Sequence, residues 1–192
     1  MNAPPAAAND LVVVFETHAT SVDNDAGLAS GWFDADLSAI GEEQAHMLGV
    51  RRRHDALAAV FCSDLTRAVR TAEIAFEGRG LSVIRDARLR ECDYGALTRR
   101  STREIQQQRS ACVAAPFPDG ESYEQVAARV RGWLREVRSA FAGQTVLVVG
   151  HRATFYAFEH LIRRVPLHTV VTLPWQWQPG WTYRVRSRRK HG

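Results

Sequence analysis

The sequence predicts an α/β fold, a three-layer α/β/α sandwich around a mostly parallel sheet. Three observations carry that expectation. Short apolar runs at Leu11–Phe15, Ala59–Cys62, Leu81–Ile84 and Val146–Val149 are rich in valine, as strands covered on both faces are. Helical patterns fill the stretches between them, the alternation expected of βαβ units. The chain has 192 residues, 45% of them hydrophobic, enough for one core and one domain.

Each element has its own local reason. The start, "MNAPPAAAND", has no positive charge followed by a long apolar run, so it reads as a disordered tail over residues 1–10 and not as a secretion signal. The first strand follows at Leu11. "LSAIGEEQAHMLGVRRRHD" opens with Ser38 as an N-cap, and Ile40, Ala45, Leu48 and Gly49 then recur at helical spacing. "SDLTRAVRTAEIAF" takes Ser63 or Asp64 as its cap and places Leu65, Ala68, Val69, Ala72 and Ile74 on one face. "GESYEQVAARVRGWLREVRSAF" is the longest helix, striped by Val126, Val130, Trp133, Leu134 and Val137. A last helix runs from about Ala153 to Arg163. In "TLPWQWQPGWTYRV", Trp175, Trp177, Trp181 and Tyr183 suggest a final strand packed on the core, with a stacking platform for a ring as the functional alternative. The domain is read over residues 11–185, followed by a basic tail over residues 186–192.

Composition narrows the function classes. The formal charge is +4, and Lys190 is the only lysine. Part of the excess sits in "RVRSRRKHG", which reads as a solvated tail; nucleic acid is not an expected partner. No apolar stretch approaches the roughly 20 residues that span a membrane. Cys62, Cys92 and Cys112 are odd in number and lack CxxC spacing, so neither a disulfide framework nor a zinc site is expected, and a reducing cytoplasm is the default. No HExxH cluster, P-loop or GxGxxG is present, so no metal and no cofactor are expected. A homodimer is the default assembly.

In a parallel sheet, ligands bind outside the carboxyl ends of the strands. His18 lies just past the first strand, Asp64 to Arg67 past the second, and His151 past "TVLVVG". Helices also begin at that edge, and their N-termini favour anions. Two imidazoles, an arginine and helix N-termini suit a tetrahedral anion such as phosphate.

These segments together resemble the histidine phosphatase superfamily, with its phosphoglycerate-mutase-like fold. "THATSVDN" stands where the family has an R-H-G-x-T-x-x-N motif, "SDLTRAVRTA" is similar to its second motif, "LRECDYG" looks like the segment with its acid, and "VLVVGH" carries its second histidine. The resemblance runs from about Leu11 to Val185. It implies that His18 attacks phosphorus to give a phosphohistidine. It implies that Arg67 and His151 hold the phosphoryl oxygens. It implies that Glu91 protonates the leaving oxygen and then activates water. Flanking Arg90 and Asp93 leave the acidity of Glu91 open. Thr20, Ser21 and Asn24 contact the phosphate or cap a turn; the resemblance favours phosphate contact for Ser21 and Asn24, and it places Thr17 at a phosphate-binding position.

The chain departs from the motif. Thr17 replaces its arginine, Ala19 its glycine, and Arg152 follows the second histidine where glycine is common. Arginine binds phosphate through a rigid two-pronged fork that threonine lacks. Either the site is degenerate or another arginine substitutes, Arg152 being the first choice. Glu16, if it faced the pocket, would oppose an anion. Arg99, Arg100 and Arg103 form a solvated face or meet a second acidic group on the substrate.

The leading expectation is a phosphomonoesterase acting on a small phosphorylated metabolite. A phosphoglycerate-type mutase is the alternative, but the stretch between Glu91 and His151 is shorter than in such mutases. A catalytically weak phosphate-binding protein is the third reading, resting on Thr17. A nucleic-acid-associated protein is the fourth, resting on the basic tail alone.

Overall fold

A computed structural model describes residues 9–187. Residues 1–8 and 188–192, and with them most of both expected tails, lie outside the described residues. The strands are β1 (Leu11–Thr17), β2 (Ala59–Cys62), β3 (Val83–Arg85), β4 (Thr145–Gly150) and β5 (Trp181–Val185), in the sheet order β3-β2-β4-β1-β5. Every pairing is parallel except that of β1 with β5. The helices are α1 (Val22–Asp25), α2 (Ala39–Arg52), α3 (Thr66–Phe76), α4 (Thr102–Gln108), α5 (Tyr123–Ala140), α6 (Arg152–Leu161) and α7 (Leu167–Val170).

Strand alternation divides the sheet between two cores. Val13, Phe15, Phe61, Val146 and Val148 pack with Val130, Trp133 and Val137 of α5 and with Ala157 and Phe158 of α6. Val14, Val60, Cys62, Leu147 and Val149 pack with Ala68, Val69, Ala72 and Phe76 of α3 and with Leu48 of α2. Successive residues thus bury opposite faces, which is why the central strands read as continuous apolar runs. Each fully buried large side chain contributes about 1.5–3 kcal/mol. Trp133, fully buried and edge-on to Phe61 at 5.3 Å, anchors the α5 side.

Most elements lie where periodicity placed them, and the differences have physical causes. The third strand begins two residues later than expected, at Val83. β1 continues past Phe15 to Thr17, because β4 pairs with it up to Gly150. Neither Ser63 nor Asp64 caps α3; its N-cap is Leu65, without a side-chain bond. Asp34 serves instead, accepting from the Thr66 backbone N–H (2.6 Å) and hydroxyl (2.7 Å). Asp34 is remote in sequence, so no local pattern reveals it. Ile40 belongs to the outer face of α2 and is 58% exposed, not part of the core. Trp181 and Tyr183 are buried in β5, whereas Trp177 stands 61% exposed in the preceding loop. At the other end of the sheet, Asp10 accepts a hydrogen bond from the Ser187 N–H at 3.0 Å.

The fold brings the relevant chain ends together through register. Thr17 pairs with Gly150, and the His18 N–H donates to the Gly150 carbonyl at 2.9 Å. The residues after β1 and β4 are therefore neighbours. Gly41 lets α2 approach the loop after β1: a Cβ there would lie 2.0 Å from the Thr20 carbonyl oxygen.

Candidate active site

At the carboxyl ends of β1, β2 and β4 lies a cavity of about 710 Å³. His18, Arg67, Glu91 and His151 all line it. Thr17, Asn24 and Arg152 line it as well. The structure thus brings these residues together from far-apart segments, while Ser21, also expected at the phosphate, does not line the cavity.

His18 is held in one tautomer. Its Nδ1 lies 2.7 Å from the Ala19 carbonyl oxygen. A carbonyl only accepts, so Nδ1 carries the proton and Nε2 keeps its lone pair. Burial, and then the Arg67 guanidinium, lower the His18 pKa to about 3, so the ring is neutral near pH 7. The loop behind it is clamped. The Ala19 N–H donates to Thr71 Oγ1 (3.0 Å), whose hydroxyl donates to the Arg67 carbonyl (2.6 Å). Thr20 donates to Gln44 of α2 from both backbone and hydroxyl, at 2.9 Å each.

His151 sits directly before α6 and is buried. Its Nε2 lies 2.6 Å from Ser63 Oγ at the end of β2. Its Nδ1 is buried without a hydrogen-bond partner. Burial, Arg67 and His18 hold its pKa well below the usual histidine value. Ser63 was expected only as a helix cap; its place just past the end of β2, at the carboxyl edge of the sheet, was the available signal.

Arg67 is 2% exposed. Its terminal nitrogens donate to the carbonyls of Phe33 (3.0 Å) and Gly31 (2.8 Å), which fixes the fork against the 31–33 loop. Glu91 is 8% exposed. Its Oε1 accepts from the backbone N–H groups of Cys92 (2.8 Å) and Ala153 (3.1 Å), the latter in the first turn of α6. Arg90 turns away to Asp64, with contacts at 2.7 and 2.6 Å.

Ser21 and Asn24 form a capping box on α1: the Ser21 hydroxyl accepts from the Asn24 N–H (3.2 Å), and Asn24 Oδ1 accepts from the Ser21 N–H (3.1 Å). Ser21 is fully buried, while Asn24 stays exposed at the cavity rim. Glu16 does not confront the cavity with a free charge, since Arg52 (2.7 Å) and Arg51 (3.1 Å) hold its carboxylate. Arg99 is bound to Asp23 at 3.2 Å, and Arg100 and Arg103 are exposed outside the cavity lining.

Arg109, at the end of α4, lines the cavity instead. Ile105, Arg109 and Cys112 are all buried (1%, 5% and 6% exposed). Arg152 lies with its Cζ 4.8 Å from the Trp175 ring centroid. Ile40, Met47 and Trp177 give the outer wall an apolar surface.

A mostly parallel α/β sheet thus gathers two histidines, an arginine and a carboxylate at its carboxyl edge, as in the class of fold that the sequence resembles. The chain belongs to the histidine phosphatase superfamily (branch 1), whose family model matches residues 13–188. Curated relatives include the "Probable phosphoglycerate mutase GpmB" of Yersinia enterocolitica, 34% identical over 73% of this chain and 69% of its own. That of Photorhabdus laumondii is 31% identical over 82% and 77%. Among solved structures, Bacillus stearothermophilus YhfR is similar with a TM-score of 0.78 and 26% identity, covering 88% of both chains. A mycobacterial glucosyl-3-phosphoglycerate phosphatase shares the fold, with a TM-score of 0.73 at 24% identity over 86% and 87%.

Proposed function

We propose that this chain is a phosphomonoesterase that hydrolyses a phosphorylated metabolite through a phosphohistidine at His18, without a metal ion. The observation that carries the reading is the His18 hydrogen bond to the Ala19 carbonyl, which leaves the Nε2 lone pair free on a residue that lines the cavity. Nε2 attacks phosphorus, and the bond from phosphorus to the ester oxygen breaks. Glu91 delivers a proton to that oxygen, so the alcohol leaves neutral. Water then attacks the phosphohistidine, Glu91 takes its proton, and the N–P bond breaks to release inorganic phosphate.

Arg67 and His151 hold the oxygens on which charge develops. With the Ser63 hydroxyl donating to Nε2, the His151 Nδ1–H is the donor left for a phosphoryl oxygen. Asn24 reaches from the rim, while Ser21 serves through the capping box. Arg152 supplies the charge that Thr17 lacks. Thr17 lies on the same face of β1 as Phe15, which packs on Phe155 and Phe158 of α6, so that face leads to the start of α6, where Arg152 stands. The free cysteines Cys62, Cys92 and Cys112 support a cytoplasmic setting.

The decisive experiment is rapid-quench trapping with an aryl phosphate in excess chelator. An acid-labile phosphoryl group should appear on His18, and His18→Ala should abolish turnover. An adduct elsewhere, or activity restored only by a divalent ion, would refute the scheme. The names of the curated relatives favour a second reading, a mutase. Offered a phosphoglycerate, a mutase yields the positional isomer, whereas a phosphatase yields inorganic phosphate.

A further inference from the structure

The tautomer of His18 depends on one peptide group, that between Ala19 and Thr20. Its carbonyl oxygen accepts from His18 Nδ1 at 2.7 Å, and its N–H donates to Gln44 Oε1 at 2.9 Å. A trans peptide is planar, and its C=O and N–H point in opposite directions. A bond that fixes the N–H therefore aims the carbonyl. Among the described residues this peptide has no other hydrogen-bond partner. The peptides on either side are held by different groups. Thr71 Oγ1 accepts from the Ala19 N–H (3.0 Å), and the Ser38 N–H donates to the Thr20 carbonyl (3.0 Å).

Gln44 acts here only through its oxygen. A backbone N–H donates and never accepts, so the amide atom that meets it is Oε1; the Thr20 hydroxyl donates to the same atom at 2.9 Å. Ser38, Gly41 and Gln44 follow at intervals of three, the spacing of one helix face, and all three meet the backbone of Thr20. The bond at the N–H end also makes the carbonyl a stronger acceptor, because linked hydrogen bonds polarise one another. With the Ala19 carbonyl in place, Nδ1 keeps the proton and Nε2 the lone pair. Among the described residues no other group bonds the ring, so nothing else retains the proton on Nδ1. A neutral ring protonated on Nε2 has no lone pair there to attack phosphorus.

We propose that Gln44 is a positioning residue for the nucleophile: it holds the Ala19–Thr20 peptide so that the carbonyl keeps His18 in the tautomer with a free Nε2. This rests on the reading of His18 as the nucleophile, but its first test reads the tautomer and not turnover.

The test is nitrogen-15 NMR of histidine-labelled protein at neutral pH, with the His18 signals assigned by their loss in His18→Asn. In the wild type Nδ1 should resonate as a protonated, pyrrole-like nitrogen and Nε2 as an unprotonated, pyridine-like one. Gln44→Met keeps an unbranched, helix-favouring side chain and removes the acceptor. It should move the two signals towards each other as the Nε2–H tautomer gains population. Gln44→Glu retains an acceptor oxygen at the same reach and should keep the wild-type pattern. Gln44 is exposed on α2, so both variants should melt as cooperatively as the wild type. For one aryl phosphate, kcat/KM of Gln44→Met should fall by the same factor as its Nδ1–H population. A wild-type tautomer in Gln44→Met, whether or not the rate falls, would overturn the proposal, as would loss of the wild-type pattern in Gln44→Glu. A wild type that releases no phosphate from any ester, yet shows the tautomer shift in Gln44→Met, would refute the hydrolase reading and leave Gln44 as the group that orients the ring.

Discussion

The imidazole rings of His18 and His151 lie 4.9 Å apart, centroid to centroid, at an interplanar angle of 52°. They meet because β1 and β4 are parallel neighbours whose last residues, Thr17 and Gly150, are in register. Two protonated imidazoles at that distance beside Arg67 would repel one another. Burial and Arg67 keep both neutral, which suits one as a nucleophile and the other as a donor to oxygen.

That neutrality has a consequence for stability. The folded His18 has a pKa of about 3 against an ordinary 6.5, and His151 shifts in the same direction. Between those pH values the unfolded chain binds more protons than the folded one. Stability is then fully present above about pH 6.5 and is lost progressively as the pH falls towards about 3. Urea unfolding across this window should show the decline, and His18→Asn should make it shallower. A pH slope unchanged by the substitution would show that the imidazole does not contribute.

Glu91 is the second test. Its Oε1 is occupied by the N–H groups of Cys92 and Ala153, so the carboxyl group is fixed in place. Glu91→Gln keeps the shape and removes the proton donor. It should slow an alkyl phosphate by about 10²–10⁴-fold, the usual scale of general acid catalysis, and slow an activated aryl phosphate far less. Equal losses on the two substrates, measured as kcat/KM, would remove Glu91 from the acid role.

The third test concerns the charge absent at Thr17. With Arg152 filling that role, Arg152→Ala should lower kcat/KM by roughly 10²-fold, the scale of a lost transition-state donor. Thr17→Arg should then add little to the wild type. Full activity in Arg152→Ala, together with a gain in Thr17→Arg, would mean that the site lacks the charge altogether. Both variants are read on one substrate, so the comparison does not depend on knowing the natural one.

Much of the protein was legible from the sequence by itself. Periodicity located the central strands and the α5 stripe of Val126, Val130, Trp133, Leu134 and Val137, because burial on a sheet or a helix imposes a repeat that local sequence must obey. The rule that ligands gather at the carboxyl edge of a parallel sheet brought His18, Arg67 and His151 to one place, where the cavity is found. Tertiary structure alone decided the partners. Asp34 as the anchor of α3, Ser63 against His151, and Arg51 and Arg52 on Glu16 all join residues distant in the chain. The arginines behave likewise: Arg99 pairs with Asp23, whereas Arg109 lines the cavity. A side chain's direction follows from the packing of its whole element, and charge pairing follows from which surfaces meet; neither is written into the neighbouring residues.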